Sequence, residues 1–261
     1  MREIFLTIKK NTLNNFSGAW IFYTIFPKPP LITPQFKNIA QFAPLIGLII
    51  GLIQSYIFIL LQYNSWPIYS SAIICTITGY LITGGLHLDG LMDTFDGIYA
   101  GKKKMYKAMK DSRAGAFGVQ IIIIITLIQL ASIIKINTLI IKVLPICLFW
   151  GRLSTLIYID KFKYFSYKRK TISHKKYWRG LKKESMVTIF TLVFIVYYVL
   201  VTSNSLDKLI TNLILLIGGL ICALIVPYII GNKVGGVNGD TCGASVVITE
   251  TLMLFLYALF I

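Results

Sequence analysis

Seven times between residues 39 and 260 the chain runs for about twenty residues with scarcely a charge, and no other feature restricts its fold so strongly. A helix rises about 1.5 Å per residue, so each run matches the roughly 30 Å hydrocarbon core of a bilayer. Within lipid a backbone must satisfy its own N–H and C=O groups, and uninterrupted apolar runs of this length do so as helices. The runs lie at 39–62, 67–86, 114–134, 138–158, 186–203, 209–230 and 242–260. The run at 67–86 is the least apolar of them. A shorter stretch from Phe16 to Phe26 stops at a Pro-Lys-Pro-Pro sequence, which predicts an interfacial or re-entrant helix rather than a cleaved leader. Only 14% of the residues are charged, too few to clothe a soluble globule of 261 residues. The expectation is an all-α polytopic membrane helical bundle, with about seven transmembrane helices and that N-terminal helix. No repeat or linker subdivides residues 1–261.

The formal charge of +16 would suggest nucleic acid in a soluble protein. In a bundle, the topology of basic loops explains it first. With the N-terminus in the cytoplasm, Arg2, Lys9, Lys10, Lys28, Lys37, the Lys102–Arg113 cluster, ten basic residues between Lys161 and Lys183, and Lys233 share one side. Of 26 basic residues only Lys135, Lys142 and Lys208 then face out, leaving 23 within when Arg152 is included. One span more or fewer would scatter them. The carboxylates sort the same way, with Asp207 as the exception, so the expected chemistry faces the cytosol. The aromatic residues among the 161–183 lysines fit lipid headgroups and topology better than RNA, and His174 in that loop reads as solvated. Cys75, Cys147, Cys222 and Cys242 show no paired spacing and read as small apolar fillers.

Residues 84–97, GGLHLDGLMDTFDG, hold the densest chemistry. Asp89, Asp93 and Asp96 are spaced by four and then three, which places them on one helical stripe about 60° wide. Left alone they repel one another, and a hard divalent cation with oxygen ligands, Mg²⁺ foremost, relieves the repulsion and bridges to phosphate. His87 beside them is a base or a backbone partner. In KDSRAGAFG at 110–118, Asp111 or Ser112 is placed to cap the following helix, while Lys110 and Arg113 suit a phosphate near its N-terminus. GGVNGDTCGA at 235–244 offers Gly235, Gly236 and Gly239 for close backbone approach, with Asp240 as a metal ligand or as a base. Arg152 and Glu250 lie inside spans, where charges are costly, and they either pair with each other or touch a ligand.

The order of these motifs, with WGRLS around Arg152 and the FYTIFPKPP stretch near the N-terminus, resembles the cobalamin synthase (adenosylcobinamide-GDP ribazoletransferase) family over nearly the whole chain. The resemblance implies one integral-membrane catalytic domain in a cell membrane. It also implies a Mg²⁺-dependent transferase that joins adenosylcobinamide-GDP to α-ribazole, the riboside of 5,6-dimethylbenzimidazole, or to its 5′-phosphate, releasing GMP at the last stage of nucleotide-loop assembly. On that reading Asp89, Asp93 and Asp96 bind metal, with Asp240 as a further ligand or the base. Lys110, Asp111, Arg113, Arg152, Glu250 and the 235–239 glycines then serve the substrates. The partners are those two substrates and membrane lipid, with a homo-oligomer compatible and nucleic acid not expected. A CDP-alcohol phosphotransferase is the alternative enzyme, although Leu91, Met92 and Asp93 follow Asp89-Gly90 where its pattern continues otherwise. A cation transporter is the alternative of another class, yet these carboxylates gather at one face and not at the midplane between repeats.

Overall fold

The computed structural model describes residues 2–164 and 178–261; His174 and most of the basic 161–183 loop therefore lie outside the described residues. In chain order the helices are α1 (Arg2–Tyr23), α2 (Ala43–Tyr63), α3 (Ile68–Ile82), α4 (Leu86–Tyr99), α5 (Met105–Ala108), α6 (Ala116–Ile136), α7 (Ile140–Lys161), α8 (Met186–Val201), α9 (Leu206–Leu213), α10 (Gly219–Val234) and α11 (Gly239–Phe260). Five wider-turned residues, Ile214–Gly218, carry α9 into α10 as one 29-residue apolar rod. Among the described residues the only extended pairing is a single bridge from Tyr164 to Val237. This is the expected all-α bundle.

The helix α7 forms its axis. Every residue from Val143 to Ser154 is buried, packed between α2, α10 and α11. A helix apolar on all sides belongs inside a bundle. Small residues let its neighbours close on it, with Gly47 and Gly51 of α2 against Leu148 and Pro145. On the outside, Phe190, Val193, Phe194 and Tyr197 of α8 and Leu224, Ile225 and Tyr228 of α10 are exposed, as lipid-facing surfaces should be.

The apolar stretch from Ala116 to Lys161 is two helices and not one long rod. Along a straight helix Gln129 and Arg152 would stand about 34 Å apart. Yet Gln129 donates to Thr251 at 2.8 Å while Arg152 pairs with the adjacent Glu250. The chain reverses at Asn137, whose φ is 51°. The expected run at 67–86 needs correction. The helix α3 stops at Ile82, because Gly84 and Gly85 adopt φ of 60° and 71° and the Gly85 N–H closes back on Tyr80 O at 2.9 Å. The following α4 leaves at 87°. At 15 and 16 residues, α3 and α8 rise only about 22 and 24 Å, so the first completes a crossing only with α4. The N-terminal helix is also longer than the Phe16–Phe26 run, reaching back to Arg2.

One end of the bundle collects the α4–α6 loops, the α7 C-terminus and the α10–α11 turn. Contacts such as Val237 N–H to Lys163 O (2.9 Å) and Thr188 to Gln41 O (3.2 Å) hold it together. At the other end Lys142 of α7 donates to Thr202 and to Asn212.

Candidate active site

The site forms where α4 lies against the first turns of α11. A Cβ on Gly90 would sit 2.6 Å from the carbonyl oxygen of Asp240, and one on Gly243 would sit 3.0 Å from that of His87. The absence of side chains there is what lets the two backbones meet. The start of α11 is set by a capping box: Asn238 accepts from Thr241 N–H at 2.8 Å, and Thr241 Oγ1 accepts from Asn238 N–H at 2.9 Å. Asp240 therefore falls in the first helical turn, where the helix dipole favours negative charge. The charges acting on Asp93 are led by Asp240, then Asp89, Lys110 and Asp96. Lys110 reaches in from the α5–α6 loop and its Nζ lies 2.9 Å from Asp240 Oδ2. Partial burial alone would lower the Lys110 pKa, but the hydrogen bond and charge of Asp240 prevail and hold it above the ordinary lysine value. The side chains of Asp89 and Asp93 make no hydrogen bond or ion pair with a described residue. Asp89 and Asp240 line one cavity, Lys110 is bonded to Asp240, and the charges of all three act on Asp93.

Asp96 does different work. Its Oδ2 accepts from Gly115 N–H at 2.9 Å and its Oδ1 from Gly118 N–H at 2.8 Å. It caps α6 from another helix, each of its oxygens accepting one backbone N–H, a task that Asp89 and Asp93 do not have. The expected cap is corrected accordingly: Gly115 is the N-cap, without a side-chain bond of its own. Asp111 instead holds Arg113, accepting from its Nη2 at 2.7 Å, its Nε at 2.9 Å and its backbone N–H at 3.1 Å. Those bonds keep the Asp111 carboxyl well below the usual range and raise Arg113. The Arg113 side chain is 87% exposed, which leaves it accessible to an incoming phosphate.

Behind the carboxylates, Arg152 and Glu250 are paired with each other, buried to 4% and 9% exposure. Arg152 and His87 line two cavities at once. The inner one, about 40 Å³, adjoins Gln54, Tyr80 and Gln129. The outer one, about 170 Å³, runs between α1, α4, α7 and α11 to Asp89 and Asp240. Of the glycines expected at the site, Gly239 borders this outer cavity, Gly235 turns the chain at φ 83°, and Gly236 is occupied by the Tyr158 hydroxyl, which donates to its carbonyl at 2.9 Å. Sequence reasoning missed Phe22, Tyr23, Thr155 and Cys242 on the cavity wall, and Asn238 at the cap. For Asn238 a signal existed, an Asn three residues before a Thr that opens an apolar run.

Among the described residues no three His, Cys, Asp or Glu side chains are already gathered as a metal cage. Asp89, Asp93 and Asp240 still provide hard oxygen donors, with one ammonium, Lys110, paired to Asp240 against their three negative charges. This suits Mg²⁺, which keeps several waters and needs only one or two carboxylates.

Among the described residues, a helical bundle with apolar outer faces and an acidic cluster and a basic loop at one end defines a multi-pass membrane protein. The chain belongs to the cobalamin-5-phosphate synthase family, whose family model matches residues 15–258. It is 42% identical to the adenosylcobinamide-GDP ribazoletransferase of Prochlorococcus marinus strain SARG over 95% of this chain and 96% of that protein. It is 37% identical to the protein of the same name in strain MIT 9313, over 94% and 95%. With that of Trichormus variabilis it shares 33% identity, over 94% and 96%. No solved structure matches the chain.

Proposed function

We propose that the protein joins adenosylcobinamide-GDP to α-ribazole or its 5′-phosphate, releasing GMP. The observation that carries this reading is the meeting of Asp89, Asp93, Asp240 and Lys110 where α4 touches α11. In the reaction an acceptor hydroxyl oxygen forms a bond to the cobinamide-bearing phosphorus. The bond from that phosphorus to the bridging oxygen of GMP breaks, and the hydroxyl proton leaves to a carboxylate. Lys110, steered by Asp240, and the accessible Arg113 are placed to bind the pyrophosphate and offset charge on departing GMP. Asp93 or Asp240 takes the proton. Asp89, Asp93 and Asp240 would hold Mg²⁺, which when bound supplies charge stabilisation at the phosphate oxygens. Arg152, fixed by Glu250, supports the wall behind His87. The clustering of basic residues on one side supports a cell-membrane location with the site facing the cytoplasm. The test is purified protein in detergent with adenosylcobinamide-GDP, α-ribazole and Mg²⁺, followed by mass spectrometry. Stoichiometric GMP and a joined corrinoid are expected; their absence with either acceptor form refutes the reading.

A further inference from the structure

We propose that the 170 Å³ cavity between α1, α4, α7 and α11 seats the aromatic base of the acceptor riboside. This rests on the transferase reading above and assigns a part of the site to one substrate. Three observations carry it. The cavity wall presents Phe22 and Tyr23 from α1, Ile159 from α7 and Val246 from α11, a surface suited to a flat apolar ring. Its size exceeds the roughly 150 Å³ of a dry cavity known to bind benzene, and its wall includes Asp89 and Asp240, where the attached ribose would meet the reacting groups.

The polar groups of the wall decide which base fits. Arg152 is already held by Glu250, and the Thr155 hydroxyl donates to Arg152 O at 2.7 Å. That leaves, besides the Asp89 and Asp240 carboxylates, His87 and the Tyr23 hydroxyl, neither hydrogen-bonded to a described residue, as the strongly polar groups of the wall. A 5,6-dimethylbenzimidazole riboside carries two methyls, no ring N–H and one free ring nitrogen, which an imidazole N–H can satisfy. Guanine carries three N–H bonds on one edge, and the paired acceptors of this wall, the Asp89 and Asp240 carboxylates, are the groups that the reading above gives to the reaction.

Two substitutions that spare the carboxylates, Lys110 and Arg113 test the assignment. Thr155→Phe narrows the cavity from α7 and Val246→Ala widens it from α11. Initial rates of GMP release are measured against both substrates, with melting curves to confirm folding. Thr155→Phe should raise KM for α-ribazole about ten-fold or more, sparing benzimidazole riboside, which lacks the two methyls, and leaving KM for adenosylcobinamide-GDP within about two-fold. Val246→Ala should shift selectivity about three-fold or more toward a riboside of the larger naphthimidazole. Should Thr155→Phe fail to fold, the selectivity of Val246→Ala decides alone. A rise in donor KM with acceptor selectivity unmoved would assign the cavity to the donor and overturn the proposal. Wild-type protein that releases no GMP with any riboside would instead remove the transferase reading, and the subsite with it.

Discussion

Replacing Glu250 by Gln removes one member of a charge pair that has almost no access to solvent. Breaking a buried pair by neutralising one partner costs about 3–5 kcal/mol, because the other charge is stranded. The structure places this case near the lower end. Arg152 retains a weak hydrogen bond from Nη1 to Leu148 O at 3.4 Å, and the adjoining 40 Å³ cavity is large enough for water to screen it. We therefore expect a loss of about 3 kcal/mol for Glu250→Gln and a similar loss for Arg152→Gln. For a chain of this length that corresponds to a drop of about 6–12 °C in melting temperature. The double variant places two neutral amides side by side and strands no charge, so the second substitution should add little; the coupling is about 3 kcal/mol. The assay is thermal unfolding of all four proteins in one detergent, followed by intrinsic tryptophan fluorescence. Losses that add within about 0.5 kcal/mol would show that the two residues act independently and refute the pair.

The acidic stripe separates into two kinds of residue. Asp93→Asn should keep the wild-type melting temperature and lose about 10²-fold or more in turnover across a Mg²⁺ titration; near-normal turnover with unchanged Mg²⁺ dependence would take Asp93 out of the site. Asp96→Asn turns an amide nitrogen toward the Gly115 or Gly118 N–H, so it should destabilise by about 2 kcal/mol while leaving the Mg²⁺ dependence of its remaining activity unchanged; an unshifted melting curve would count against the cap. In intact cells lacking other reactive thiols, an impermeant reagent should label a cysteine placed at Asn204 and miss one placed at Lys103. Labelling at Lys103 would reverse the orientation and move the site to the outer face.

Much of the site was legible in local spacing. The interval from Asp89 to Asp93 puts both acids on one side of α4, and that much follows from helical periodicity alone. The same periodicity extends the stripe to Asp96, but it is silent on the second task that Asp96 takes. Spacing reports which face a residue shares but not what stands opposite, and opposite Asp96 are the unpaired N–H groups at the start of α6. Asp111 and Ser112 precede an apolar run as a cap would, yet α6 begins only at Ala116 and Arg113 lies within reach of the Asp111 carboxylate.

What the sequence by itself determined is the solvent and the secondary structure: apolar runs of about twenty residues must be helices in lipid, and the bias of basic residues orders their ends. The tertiary structure decided the pairings. Asp240 meets Lys110 across 130 residues, and Arg152 meets Glu250 across 98. It also decided where the straight runs fail, at the Gly84–Gly85 bend that turns α4 into the site. The physical reason is that hydropathy and periodicity are properties of neighbouring residues. A carboxylate's partner depends instead on which helices pack together, and here that packing depends on glycines such as Gly90 and Gly243 that let α4 and α11 touch.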